Sequence, residues 1–175
     1  LIDDVLDCWS DLADVLGNGA VTPITYMNST ASIKALCGRS DGIVCTSTNA
    51  PATFEWALQK RGPILFLPDQ HLGRNTGLKM GIGLDEMVVW NPFKRLGGNT
   101  PEQLRNAKMV LWQGHCSVHV RFKTQQIEQA RRDYPGCKVV VHPECPEPVV
   151  DAADANGSTS FIIDYVRNGE PGGYA

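Results

Sequence analysis

The stretch Met109-Val110-Leu111-Trp112-Gln113-Gly114-His115-Cys116-Ser117-Val118-His119 decides the fold. Its first residues form a continuous apolar run, which reads as a buried strand of a parallel sheet. Gln113 and Gly114 end the run, and two imidazoles and a thiol follow before a helix-like segment. Reactive side chains where a strand gives way to a loop are characteristic of α/β proteins, whose ligands bind at the C-terminal edge of the sheet. Cys and His also ligate metals or act as nucleophiles near neutral pH.

Outward from this stretch the same pattern recurs. Val21–Met27, Ile64–Leu67, Met87–Trp90 and Lys138–Val141 read as strands, and Gly42–Thr46 as a short buried one. Residues 1–16 carry apolar side chains at helical spacing and are closed by Gly17-Asn18-Gly19. Helices are expected at Ser32–Arg39, Pro51–Arg61, Thr124–Asp133, near 147–155 and from about 159 to 167. His71, Gly73 and Arg74 fall in a helix or loop after Pro68-Asp69. Thr100-Pro101-Glu102-Gln103 is a helix start, with a capping threonine, proline at the first position and a capping glutamine. Strand and helix alternate throughout, which predicts α/β architecture: parallel sheets flanked by helices in three-layer αβα units. A composition shift near 91–100 marks a boundary between two such units.

At 175 residues, the chain is long enough for one domain or two small ones with cores of their own. Its 16 Lys and Arg against 19 Asp and Glu give a net charge of −3 without a run of one sign. That argues against nucleic acid or an anionic membrane as a partner. No stretch reaches the roughly 18 apolar residues of a membrane span, and no basic-then-apolar leader is present. Six cysteines lie on or beside regular elements, outside any loop-rich disulfide pattern, so the expected compartment is reducing and cytoplasmic. The chain starts at Leu1 and stops just after a Gly-Gly, and it reads as a fragment.

Polar groups gather at five successive strand ends: Tyr26 and Asn28, Ser47 and Asn49, Asp69 and His71, Cys116 and His119, His142 and Glu144. Each has a structural reading beside the functional one. A strand-end Tyr can be a packed aromatic, Ser and Asn can cap helices, and Asp69 can form a turn. The repetition at one sheet edge favours function. Cys37 and Cys45 read as core thiols, Cys8 and Cys137 as structural, and Cys145 stays open. Cys116 stands out between two histidines. On these residues alone, a zinc-dependent hydrolase using Cys116, His119 and His142 and a non-catalytic small-anion-binding α/β module both remain open.

The ordered motifs Tyr26-Met27-Asn28-Ser29, Cys45-Thr46-Ser47-Thr48-Asn49-Ala50, Leu67-Pro68-Asp69-Gln70-His71-Leu72-Gly73, Gly114–His119, His142-Pro143-Glu144-Cys145 and Gly157-Ser158-Thr159 resemble quinolinate synthase along essentially the whole chain. The resemblance implies a pseudo-threefold fold of three related α/β domains. In it, 1–19 would be a helix and linker from the preceding domain, 20–117 the middle domain, and 118–175 the beginning of the third. It implies condensation of iminoaspartate with dihydroxyacetone phosphate to quinolinate, with loss of phosphate and water, in NAD biosynthesis. It also implies a [4Fe-4S] cluster held by one cysteine per domain, with an open iron acting as Lewis acid. The L-aspartate-oxidising enzyme upstream would be a partner.

By the same resemblance Cys116 is the middle cluster ligand, and the other two lie outside these residues, which leaves the isolated fragment inactive. Tyr26, Asn28, Ser47, His142, Glu144, Ser158 and Thr159 fall on substrate-binding positions; Asn49 and Asp69 are motif neighbours. Glu144, Tyr26, His119 and His142 are the acid–base candidates. His115 is read as structural. The loop at Gly38-Arg39-Ser40-Asp41 looks longer than in the shortest family members.

Overall fold

The computed structural model describes residues 1–60, 62–170 and 172–174, and the chain divides into two compact units, Leu1–Gly114 and His115–Ala175. The first is built on five parallel strands: β1 (Thr22–Tyr26), β2 (Ile43–Cys45), β3 (Ile64–Leu67), β4 (Met87–Trp90) and β5 (Met109–Trp112). Their order is β2-β1-β3-β5-β4. From β1 the chain winds out to β2 and then returns past β1 to β3. The winding therefore reverses between β1 and β3, the topological switch point at which such sheets bind ligands.

Helix α1 (Ile2–Leu16) precedes β1, and α2 (Ala31–Arg39), α3 (Ala50–Leu58), α4 (Gln70–Lys79) and α5 (Pro101–Asn106) link successive strands. Alternation along the central strands assigns the faces. Leu65, Leu67, Val110 and Trp112 share a core with Val5, Cys8 and Leu12 of α1, Ile33 and Leu36 of α2, and Leu104 of α5. Ile64, Phe66, Met109 and Leu111 share the other core with Ala50, Phe54 and Ala57 of α3 and Leu72 of α4. Phe54 meets Phe66 edge-on at 5.2 Å between centroids. A sheet covered on both faces favours apolar residues along its central strands, which is why β3 and β5 read as unbroken apolar runs. Thr100 caps α5 as its sequence implies: its hydroxyl accepts the Gln103 N–H at 3.1 Å, and Gln103 Oε1 accepts the Thr100 N–H at 2.8 Å.

Three expectations are corrected in or around this unit. Strand β2 is not buried: it lies at the sheet edge, leaving Ile43 and Val44 exposed and only Cys45 inside. The composition shift at 91–100 is not a boundary between units. That segment joins β4 to α5 inside the first unit and folds back on β4, with the Asn99 side-chain amide donating to the carbonyls of Val89 and Leu96. Helix α3 ends at Leu58; Arg61, its expected last residue, lies outside the described residues.

The second unit has α6 (Thr124–Asp133), β6 (Val140–Val141), α7 (Glu147–Ala152), β7 (Ala155–Asn156) and α8 (Thr159–Arg167), with β6 and β7 parallel. The expected strand Lys138–Val141 shrinks to two residues because the Asp154 carboxylate intervenes. That carboxylate accepts the Val139 N–H at 2.9 Å and pairs with Arg131 and Lys138, while the Asp154 N–H donates to the Val139 carbonyl at 2.8 Å. These bonds hold its carboxyl down at about 2. The turn at Asp154 also ends the helix expected to reach 155, and Ala155–Asn156 is a strand instead. The core here is small: Ile127, Cys137, Val139, Cys145 and Val149. No described helix is long and apolar enough to cross a membrane.

Candidate active site

In the first unit the strand ends hold the expected residues. Tyr26 ends β1 with its ring in the core beside Cys45 and Phe54, and Asn28 is exposed just beyond. Ser47 is half-buried in the turn after β2. Asn49 is engaged locally: its side-chain oxygen accepts from the Thr46 N–H at 2.6 Å and the Thr46 hydroxyl at 3.0 Å. Asp69 is buried and caps α4, accepting the N–H groups of His71 and Leu72 at 2.8 and 2.9 Å. Both therefore carry the structural role that residues of their type take at such positions.

In the second unit the chemistry converges. Single ligating atoms of Cys116, His119 and Glu144 all lie within 4.8 Å of one another, a spacing that could hold a metal ion. Glu144 Oε2 stands 3.6 Å from His119 Nδ1 and 3.3 Å from His142 Nδ1. The two imidazoles stack at 4.8 Å between centroids with an interplanar angle of 20°. His142 and Glu144 meet because the intervening Pro143 makes a tight turn, in which His142 Nδ1 accepts the Glu144 N–H at 3.2 Å. That bond assigns the proton of neutral His142 to Nε2. Burial, with the neighbouring His119 adding to it, lowers His142 to about 4, so the ring is neutral at physiological pH. The Glu144 contact to Nδ1 becomes an ion pair only when the imidazole takes a second proton.

Ser158 is buried and caps α8, accepting the Phe161 N–H at 3.3 Å, and Thr159 is exposed at the helix start. The zinc alternative draws on Cys116, His119 and His142, whereas the three residues whose ligating atoms gather are Cys116, His119 and Glu144, with His142 stacked on His119. Sequence reasoning missed a largely apolar cleft of about 350 Å³ between α6, β6, α7 and α8, with His119, His142 and Cys145 in its wall. It is created by how the helices approach one another and leaves no local signal. Phe122, also unforeseen, lies against His119 at 6.4 Å between centroids.

The cysteines separate by environment. All six are among the described residues, and only Cys116 is not buried. Burial pushes the Cys37 thiol up to about 11 and Cys45 to about 12, and Cys8 higher still with Asp11 nearby. Such thiols are poor ligands and poor nucleophiles. Cys145 packs with Ile127 and Val149 in the second core.

The fold and these residues define an α/β protein with a Cys–His–Glu group able to receive a metal centre. The family model described as Quinolinate synthetase A protein matches residues 3–174, and the chain belongs to that family. It is 54% identical over 166 residues to a quinolinate synthase of Corynebacterium glutamicum, covering 95% of this chain and 42% of the relative. A quinolinate synthase of Acidobacterium capsulatum is 55% identical over 172 residues, covering 98% of this chain and 46% of the relative. One of Rhodopirellula baltica is 48% identical over 172 residues, with 98% and 44% covered. The chain thus spans less than half the length of these curated relatives.

Proposed function

We propose that this chain is the part of a quinolinate synthase that carries one cluster cysteine and much of the substrate pocket. The reaction is condensation of iminoaspartate with dihydroxyacetone phosphate to quinolinate, with loss of phosphate and water. The observation that carries the reading is the meeting of Cys116, His119 and Glu144 in a chain matched almost end to end by that family.

The cofactor is a [4Fe-4S] cluster, and the cysteine inventory fits one corner of it. Cubane clusters are held by thiolates, and Cys116 is the one cysteine outside the hydrophobic interior. The remaining ligands come from elsewhere in a longer polypeptide with three pseudo-threefold domains, of which 20–117 is the middle one and 118–175 begins the third. When bound, the cluster supplies a Lewis-acidic iron that polarises a substrate oxygen. Such a cluster requires a reducing compartment, here the cytoplasm, and iminoaspartate is delivered by the L-aspartate-oxidising enzyme.

Both substrates are anionic, and the chain meets them with neutral donors. Tyr26, Ser47, Ser158 and Thr159 offer hydroxyls, Asn28 an amide and His142 its Nε2 proton to carboxylate and phosphate oxygens. Carbon–carbon bond formation needs a proton removed beside a carbonyl or imine, and Glu144 is the base for it, with His119 beside it to relay the proton. Tyr26 serves as acid when water leaves. His142, neutral and stacked on His119, holds both partners in place.

The test is anaerobic expression of the full reading frame, iron and sulfide analysis, and quinolinate formation from the two substrates. Glu144→Gln should keep the cluster and lose at least about 100-fold in turnover, the scale of general acid–base catalysis. Full activity in that variant would remove Glu144 from the mechanism. A colourless wild-type protein that retains zinc instead would reject the reading and restore the hydrolase.

A further inference from the structure

The motif Leu67-Pro68-Asp69-Gln70-His71-Leu72-Gly73 has no task in the chemistry above, yet it forms a tightly bonded turn in the first unit. The Asp69 carboxylate, 3% exposed, takes the N–H groups of His71 and Leu72 and so fixes the start of α4. The first N–H of that helix, on Gln70, is left pointing outward, and it donates to the Gly114 carbonyl at 3.0 Å. Gly114 makes a tight turn of its own, its N–H donating to the Trp112 carbonyl at 2.7 Å. A Cβ on Gly114 would collide with the Pro68 carbonyl oxygen, so only glycine lets the two backbones meet. One helical turn on, Gly73 packs under side chains rather than backbone: a Cβ there would stand 2.7 Å from the side chains of Leu111 and Phe66. The motif is thus hydrogen-bonded to Gly114 and packed on the Leu111 side chain.

We infer that the Pro68–Asp69–Gln70 turn and Gly114 form a positioning clasp for the Cys116 ligand. The clasp holds the backbone at the point where the chain leaves β5, two residues before the thiolate. A ligand loop departing from a fixed carbonyl loses less conformational freedom on taking up its metal, and support of this kind sets metal retention. Asp69, Gln70 and Gly114 act here as positioning residues. The inference rests on the cluster reading of Cys116.

Gln70 permits a clean test because it is the first residue of α4, where proline is well tolerated. The preceding Asp69 is already in the extended region that a following proline demands, at φ −112° and ψ 114°. Gln70→Pro therefore deletes the N–H to Gly114 without breaking the helix, whereas Gln70→Ala keeps that N–H and loses only the side-chain bond to Arg74. In the full reading frame, Gln70→Pro should fold with wild-type circular dichroism and release iron to a chelator roughly 10-fold faster, as loss of a ligand's supporting partner does. Its visible cluster spectrum should change, and kcat should fall while KM holds. Gln70→Ala should behave as wild type, and Gly114→Ala should reproduce the proline variant. Wild-type iron release and spectrum in Gln70→Pro would overturn the clasp, as would equal effects from Gln70→Ala. A wild-type protein that binds no cluster would instead overturn the functional reading beneath it.

Discussion

The two units of this chain solve opposite problems. The first buries a five-stranded sheet on both faces, with two cores and a fully enclosed isoleucine, phenylalanine and two leucines along β3. The second has two strands of two residues each and a five-residue core, yet it encloses His142 and Glu144. Apolar burial contributes roughly 25 cal/mol per Å², whereas buried ionisable groups cost stability unless paired. The first unit therefore carries Tyr26, Asn28 and Ser47 at the ends of a well-buried sheet. The second holds reactive groups close together on little apolar support, and Asp154 clips it together in place of a longer strand ladder.

The contrast is broken most severely at its strong end. Phe66→Ala should cost about 3–5 kcal/mol of unfolding free energy, since the ring fills the centre of one core against Phe54. Denaturant titration of the full reading frame measures it; a cost below that of Val149→Ala would invert the ranking of the two cores.

The weaker unit should be distinguished by its acid sensitivity. Above about 6.5, His142 is neutral in folded and unfolded chains alike. Between about 6.5 and about 4 the unfolded chain takes a proton that the buried ring refuses, so stability falls as pH falls through that window and levels off below it. The loss is on the order of 3 kcal/mol. Hydrogen exchange at the amides of Val140 and Val141 reports it, and His142→Gln should flatten that limb. An unchanged limb in His142→Gln would assign the sensitivity elsewhere.

Smaller effects sharpen the comparison. Val149→Ala should cost roughly 1.6 kcal/mol, two methylene equivalents, and show first in second-unit amides. Thr100→Ala removes one side of the α5 capping box and should cost about 1 kcal/mol. An undiminished melting temperature in Thr100→Ala would show that the box is redundant with α5 packing.

How far the sequence could be read follows the same division. Strands β3 and β5 were legible because a sheet covered on both faces leaves unbroken apolar runs, and α5 because its capping box is local chemistry. Lys138–Val141 has the same apolar look, but the distant Asp154 carboxylate takes the Val139 N–H, the backbone N–H groups of Asp154 and Ala155 donate to the Val139 carbonyl, and the ladder is cut short. The exposure of Ile43 and Val44 depends on strand order, which no local pattern contains. In the site, Cys116 and His119 were visible through their spacing. The approach of Glu144 to both histidines depends on the turn at Pro143, and the cleft behind them on three helices. Asn49 and Asp69 carry both a functional and a local structural reading from their place at strand ends, and each is engaged by neighbouring backbone.

The central claim is that Cys116, and no other thiol of this chain, holds iron. Cys145 is the sharpest control, since it follows Glu144 directly and lies in the wall of the cleft, yet packs into the core. Iron and sulfide should be counted in the anaerobically purified full-length protein carrying Cys116→Ala or Cys145→Ala. Cys116→Ala should lose the cluster, and Cys145→Ala should keep the wild-type iron content and visible spectrum. A Cys116→Ala protein with its full complement of iron would contradict the assignment.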